Sequence, residues 1–322
     1  MSVDVFKAGM ADSFQDGGRF GYQHLGINPG GAMDVMAMNV ANALVGNDLN
    51  EAVLELCFPA ASLGFNKSCL MALSGANFTA EINGISILIN QTIAVPAGSE
   101  LKFTKAEQGV FCYLAIRGGF NLEEWLGSFS TNVKAHKGGC NGRLLQTRDE
   151  IEIRKNENHG TLKIFPGRVN VSEWYGDANV IRMLKGNEFE WLDEKSKAQL
   201  MENSFTVTSI RDRMGYRLAG EGLTTRGEEL ISTAASFGTV QILPDGQLIV
   251  LMADHQTTGG YPRVGQVISA DRSKLVQLKV GERIFFREVG IEEAEDLMIS
   301  QQKMLKQIQV TCAVRLKENL VA

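Results

Sequence analysis

Apolar positions change their period along this 322-residue chain. Met36, Val40 and Leu44 recur at the helical interval, with Asp34 placed to cap, Met33 and Met38 at staple positions and Gly46-Asn47 as a stop. Together they predict a helix from about Val35 to Val45. Beyond it come short apolar runs at Val53 to Phe58, Cys69 to Leu73, Ile85 to Ile89, Glu100 to Thr104 and Val110 to Ile116, which predict strands. Thr79 to Ile82 should pair with Ile85 to Leu88, because Asn83-Gly84 suits a two-residue type I′ hairpin.

From Gly118 to Gly160 the chain is rich in Gly, Asn, Lys and His and loses periodicity, so the domain junction is expected there, with charged residues 150 to 158 as a linker or solvated hairpin. A second set of strands is predicted at Leu162 to Phe165, Phe205 to Ser209, Val240 to Leu243, Gln247 to Ala253, Val264 to Ala270 and Arg283 to Glu288. Pro244-Asp245-Gly246 marks a hairpin within it. Helices are expected at Leu192 to Glu202, with Asp193 as cap, and at Ile291 to Gln309, an amphipathic covering helix. Many short strands with few helices indicate a mainly β fold of barrels or sandwiches. A loose echo suggests a duplicated unit: Arg19-Phe20-Gly21-Tyr22 resembles Arg213-Met214-Gly215-Tyr216, and Gly118-Gly119-Phe120 resembles Gly259-Gly260-Tyr261.

Composition narrows the function classes. The length fits two domains of average size, expected at 1–158 and 159–322. A formal charge of −5 without any long run of Lys and Arg argues against nucleic acid as a partner. Cys57, Cys69, Cys112, Cys140 and Cys312 are an odd number with no C-x-x-C spacing, which disfavours a disulfide framework or zinc ribbon and favours a reducing cytoplasm. No window approaches a membrane span, and Met1 to Gln15 lacks the basic and apolar regions of a signal peptide. P-loop, strand-linked dinucleotide and G-x-S-x-G motifs are missing. His24, His136, His159 and His255 have no metal-ligand spacing, so no metal site is expected.

Two polar loops with paired glycines carry the candidate chemistry: Ser13 to Tyr22, and Asp254 to Pro262. Glycine lets backbone N–H groups approach a ligand, while amide, carboxylate and guanidinium groups orient it. Arg19, Arg213 and Arg217 are the candidate anion clamps; Gly259 and Gly260 are candidate backbone donors. Asp254 and Asp16 are the candidate acid–base or orienting carboxylates, and Arg213 joins them as a candidate catalytic residue. Gln15, Gln256, Thr257 and Tyr261 are placed to hold substrate. Asp16 with Arg19, or Asp212 with Arg213, could equally be an ion pair that only shapes its turn. Asn39 and Asn42 share a helix face that could reach a site or could simply be a polar outer face. Ser128, Ser130 and Thr131 read as donors in a turn.

Read together in order, Gln15 to Tyr22, Gly31-Ala32-Met33-Asp34, Ala41 to Asn47, Leu126 to Thr131, Ser209 to Leu218, Gly238 to Gly246 and Asp254 to Pro262 resemble the family of 5-oxoprolinase C subunits. That family is also named for the biotin-dependent carboxyltransferase domain, for allophanate hydrolase subunit 2, or for an antagonist of a sporulation-kinase inhibitor. The chain departs from the family pattern at Phe129, Cys140 and Leu248-Ile249. The resemblance implies two cyclophilin-like β-barrel domains and a heteromeric complex with 5-oxoprolinase subunits A and B. It implies a hydrolase that uses ATP, with Mg held by the complex, to phosphorylate an amide oxygen and open the lactam of 5-oxo-L-proline to L-glutamate. It leaves open biotin-dependent carboxyl transfer of the urea carboxylase or allophanate type, with a separate biotin carrier, and a non-enzymatic antagonist of a histidine-kinase inhibitor.

Overall fold

The short apolar runs do fold into sheets, and the molecule is mainly β with few helices, as the sequence leads one to expect. The structure is a computed structural model that describes residues 2–154, 161–176, 179–226 and 230–321. His159 and positions 155–158 of the expected linker lie outside the described residues. Two compact units arise from interleaved segments: residues 1–19, 30–170 and 303–322 form the first, and 20–29 with 171–302 the second.

In the first unit a ten-stranded sheet runs Lys163–Ile164, Thr92–Val95, Cys69–Ile82, Ser99–Ile116, Ser62–Phe65, Ser2–Lys7, Glu150–Glu152. Val53–Cys57 also pairs with Ser99–Ile116, Ser13–Gln15 pairs with Val53–Cys57, and Ile85–Ile87 pairs with Cys69–Ile82. The two runs expected at Glu100 to Thr104 and Val110 to Ile116 are one 18-residue strand. Its register against Cys69–Ile82 shifts between Gly75 and Asn77, Asn77 and Phe78, and Thr79 and Ala80. Bulges of this kind bend and twist a strand, which lets the long pair curl around a core that includes Phe14, Phe65, Phe78 and Phe120. Gly75 is required at the bend, because its φ is 97° and a Cβ there would sit 2.5 Å from the Phe111 carbonyl oxygen.

The helix forms at Val35–Val45, with the Asp34 side chain accepting from Ala37 N at 3.1 Å and Gly46 left-handed at φ 72°. Asn42 does not lie on a polar outer face. It is fully buried and donates to the carbonyls of Leu49 (3.1 Å) and Glu51 (2.7 Å), which ties the following loop to the helix. The hairpin also forms as expected, pairing Ile82 with Ile85 through Asn83 (φ 52°) and Gly84 (φ 78°). Glu150–Glu152, within the expected linker, is instead a strand that pairs with Ser2–Lys7.

Asp12 is a buried carboxyl that accepts from Cys57 N (2.9 Å) and Ala61 N (2.7 Å). Burial pushes its pKa up to about 7, against the opposing pull of those two N–H groups, and the nearby Glu55 charge adds to the rise. Between the ordinary value of 3.8 and about 7 the unfolded chain ionises while the folded one keeps its proton. The stability contributed by Asp12 is therefore fully present below that ordinary value and lost as pH rises toward 7, by up to about 4 kcal/mol. Relative to Asp12→Asn, wild type should lose ground in urea midpoint between pH 4 and pH 7.5; a constant gap across that range would refute the shift.

The second unit is a closed barrel in the order Val180–Lys185, Arg263–Val267, Thr239–Ile242, Leu248–Leu251, Gly215–Ala219, Ser204–Arg211, Arg283–Glu288. Seven strands cannot close with every pair antiparallel, because directions must alternate around the ring. The necessary parallel seam lies between Val180–Lys185 and Arg283–Glu288. Alternate residues such as Ile181 and Met183, Phe205 and Val207, and Ile284 and Phe286 are buried. The hairpin at Pro244-Asp245-Gly246 joins Ile242 to Leu248 in register. Asp193 caps Glu194–Glu202 through Ser196 N at 2.7 Å.

The last helix runs past the expected Gln309, over Ile291–Val321, and contributes to each unit in turn. Ala294 and Leu297 pack against Ile268, Ala270 and Val289, whereas Leu316 is buried with Leu70, Ala94 and Phe165. No helix among the described residues is long and apolar enough to cross a membrane. All five cysteines are free, four of them buried and Cys140 half-buried.

Candidate functional site

In the first unit the glycine-rich loop after strand Ser13–Gln15 meets the segment Trp125 to Gly139, more than a hundred residues further on. Asp16 is 3% exposed, and its carboxylate is enclosed by donors. Ser128 Oγ (2.7 Å), Ser130 Oγ (2.6 Å) and Gly18 N (2.8 Å) donate to Oδ1, and Phe129 N (2.6 Å) donates to Oδ2. Asp16 N in turn donates to Ser130 Oγ at 3.0 Å. The hydroxyl run expected to act in a turn thus supplies the cage around Asp16. Three of the four donors sit on Oδ1 and one on Oδ2, which leaves the second lone pair of Oδ2 as the acceptor position not taken by these bonds.

Arg19 is 1% exposed, donates through Nη2 to the Ser130 carbonyl and lies 4.8 Å over the Trp125 ring. Gly138, at φ 73°, lets the chain pass there: a Cβ would sit 2.4 Å from the Ser130 carbonyl oxygen. Gln15 is buried and donates through Nε2 to Ser13 Oγ at 2.9 Å, while its Oε1 has no hydrogen-bond partner. Asp16 and Arg19 thus belong to one polar cluster of the first unit, together with Ser128 and Ser130, whereas Gln15 is tied to Ser13.

In the second unit Arg213 and Asp254 form a two-pronged ion pair, Nε to Oδ2 at 2.8 Å and Nη2 to Oδ1 at 3.0 Å. Their backbones are joined as well, by Asp254 N to Arg213 O at 2.7 Å. Asp212 faces its own turn, accepting from Met214 N (2.7 Å) and Gly215 N (3.2 Å). Arg217 pairs with Asp245 on the hairpin. The Gln256 side chain is exposed, and the Thr257 carbonyl accepts from Ala235 N at 3.1 Å. Thr258–Gly259 pairs with Thr233–Ala234.

A cleft of about 830 Å³ opens in this unit, lined by residues 222–225, Leu230, 242–246 and 260–262. It gathers Gly260, Tyr261 (44% exposed) and Asp245, the partner of Arg217, but its lining does not include Arg213, Asp254, Gln256, Thr257 or Gly259. Gly246 shapes its wall, since a Cβ at that φ of 78° would press within 2.8 Å of the Leu223 carbonyl oxygen. Among the described residues no group of three His, Cys, Asp or Glu side chains could hold a metal ion.

Two residues given no role by sequence reasoning are His255, within the Asp254 to Pro262 loop, and Arg272. His255 is 3% exposed, with Nδ1 2.6 Å from the Gln256 carbonyl oxygen. A carbonyl can only accept, so Nδ1 carries the proton and Nε2 keeps the lone pair of a potential base. Burial lowers the imidazole pKa; the Gln256 carbonyl and Asp254 oppose this, and Arg272 adds to the lowering. Nothing in the local sequence distinguishes Arg272 from an ordinary helix-surface arginine.

The family model described as "Carboxyltransferase domain, subdomain A and B" matches residues 25–288. The chain is 36% identical over 312 residues to the C subunit of 5-oxoprolinase from Escherichia coli (strain K12), covering 95% of this chain and 97% of that protein. Its counterpart from Haemophilus influenzae is 35% identical with the same coverage. The crystal structure of Kluyveromyces lactis urea amidolyase superposes with a TM-score of 0.85 and 25% identity over 95% of this chain, which spans only 20% of that much longer protein.

Proposed function

This chain belongs to the carboxyltransferase-domain family, and from that premise we propose that it is the C subunit of a 5-oxoprolinase, opening 5-oxo-L-proline to L-glutamate with subunits A and B. The carrying observation is end-to-end similarity: the alignment spans nearly all of both this chain and a 5-oxoprolinase subunit. In the reaction the lactam C–N bond breaks, water supplies the new carboxyl oxygen and the ring nitrogen gains a proton. ATP supplies the activation when bound to the assembled complex. Among the described residues Arg213, Arg217, Arg182 and Arg263 already face carboxylates, and the nucleotide step is left to the assembled complex.

In this reading the second unit binds the lactam along the Asp254 to Pro262 loop. Arg213 fixes the Asp254 carboxylate, and the loop backbone around Gly259 and Gly260 offers donors to the lactam oxygen. Tyr261 and the cleft beside it accept the ring. His255, neutral with Nε2 unprotonated, is placed to take a proton from the attacking water. In the first unit the caged Asp16 holds the Ser128 to Thr131 turn in place. The likeness to urea amidolyase favours, as a second reading, carboxyl transfer from a biotin carrier through the same loops.

The test is glutamate release from 5-oxoproline and ATP by this chain purified with its cognate A and B subunits, and again with each omitted. Release should require all three. A verified assembled complex that releases no glutamate overturns the proposal and turns attention to carboxyl transfer.

A further inference from the structure

The arginines of the second unit are mostly engaged. Arg213 faces Asp254, Arg217 faces Asp245, Arg263 holds Glu188 with Nη2 to Oε1 at 2.7 Å, and Arg182 holds Asp271 with Nη2 to Oδ1 at 2.6 Å. Arg272 differs. It begins the short helix Arg272–Val276, directly after Asp271, yet the Asp271 carboxylate is taken by Arg182 and by Lys274 at 3.3 Å. The Arg272 guanidinium lies 5.1 Å over the Phe237 ring, and its Nε is buried without a hydrogen bond. Among the described residues no carboxylate pairs with it, and burial alone pushes its pKa below the usual guanidinium range. A guanidinium keeps its proton at neutral pH, so this is a desolvated positive charge without a counter-charge among the described residues, a state that proteins rarely leave uncompensated.

The cation is close enough to the loop to depress the pKa of His255. The Phe237 carbonyl accepts from Gln266 Nε2 at 2.8 Å, and Ala235, two residues before Phe237, donates its N–H to the Thr257 carbonyl of the loop at 3.1 Å. His255 offers no competing donor, since its one N–H already faces the Gln256 carbonyl. We propose that Arg272 is a binding residue for an oxyanion, and that this anion is the substrate's free carboxylate, with Phe237 covering one face of the guanidinium and its open edge taking the two carboxylate oxygens. The identification of that carboxylate with the one carried by 5-oxoproline rests on the proposed 5-oxoprolinase reading. The carboxylate is the part of the lactam that takes no part in bond breaking, and holding it orients the ring amide toward the loop.

The experiment compares 5-oxoproline with its neutral primary amide in the assembled complex, for wild type, Arg272→Gln and Arg272→Lys. Arg272→Gln should raise KM for 5-oxoproline about tenfold or more and lower its kcat as the ring loses its orientation, while changing kcat/KM for the amide less than about threefold, with Arg272→Lys intermediate. Equal losses on both compounds, or an unchanged KM for 5-oxoproline, overturn the proposal. A KM change confined to ATP assigns the cation to a phosphate and likewise overturns it. Modification of wild-type Arg272 by phenylglyoxal, read by peptide mass, separates this proposal from the 5-oxoprolinase reading. Protection by acetate or 5-oxoproline but not by inorganic phosphate supports a carboxylate site even in a complex that releases no glutamate, whereas protection by neither carboxylate overturns it.

Discussion

Asp16→Ala should destabilise the first unit by about 3–5 kcal/mol, the largest single-residue effect expected in it. The substitution removes one small side chain but strands four donors, Ser128 Oγ, Ser130 Oγ, Gly18 N and Phe129 N, with Ser128 and Ser130 fully buried. The hydroxyls can rotate toward other acceptors; the two backbone N–H groups cannot. Asp16→Asn keeps one oxygen, which can serve the Oδ1 donors, but turns an NH2 group toward Phe129 N, so an intermediate loss of about 2 kcal/mol is expected. Urea unfolding followed through Trp125, which contacts Arg19 in the same cluster, reads the effect. An Asp16→Ala protein within about 1 kcal/mol of wild type would show that the cage has no structural weight.

Asp254→Ala should lower kcat/KM of the assembled complex about a hundredfold while leaving assembly intact. The pair it breaks is two-pronged and roughly three-quarters or more withdrawn from water, with 18% of the Arg213 and 26% of the Asp254 side chain exposed. Removing the carboxylate takes away the two bonds that tie the Arg213 side chain to the loop. Arg213→Lys should produce a similar loss, because an ammonium group cannot reproduce the fork. Arg217→Ala breaks a more exposed pair, whose Asp245 side chain is 49% exposed, and serves as the stability control within about 1 kcal/mol. Turnover within threefold of wild type would remove the Arg213–Asp254 pair from the mechanism. Lost turnover in an intact complex would make a purely regulatory role insufficient.

The elements legible in the sequence are those specified by neighbouring residues. Asp34 and Gly46 set the ends of Val35–Val45, Asn83-Gly84 sets its hairpin, and Pro244-Asp245-Gly246 sets another. Ser99–Ile116 read as two strands because its exposed and bulged middle, Lys102 to Gly109, interrupts the apolar run without interrupting the pairing. The echo between Arg19 to Tyr22 and Arg213 to Tyr216 is not matched locally: Gly21 turns at φ 94°, whereas Gly215 lies in a strand. The segment from Gly118 to Gly142 carries no period because its conformation is set by left-handed residues, among them Gly118, Gly119, Leu126, Gly127, Gly138 and Gly139.

Candidate site residues divide along the same line. The pairing of Arg213 with Asp254 spans 41 positions, and the enclosure of Asp16 by Ser128 spans 112, so the loops could be singled out but their partners could not. Arg272 was invisible for a further reason. Its charge is notable only because Arg182, from a distant strand, and Lys274 occupy the neighbouring carboxylate first.

The parallel seam of the seven-stranded barrel has a consequence for synthesis. Val180–Lys185 pairs on one side with Arg263–Val267 and on the other with Arg283–Glu288, so both of its neighbours are made after it. At translation rates of about 5–20 residues per second, this apolar strand leaves the ribosome on the order of ten seconds before either edge can be covered. During that interval it is an open template for pairing with another nascent chain. Chaperone demand and inclusion-body formation on overexpression should therefore be governed by this strand, whose charged Arg182 and Lys185 are its own protection against sticking.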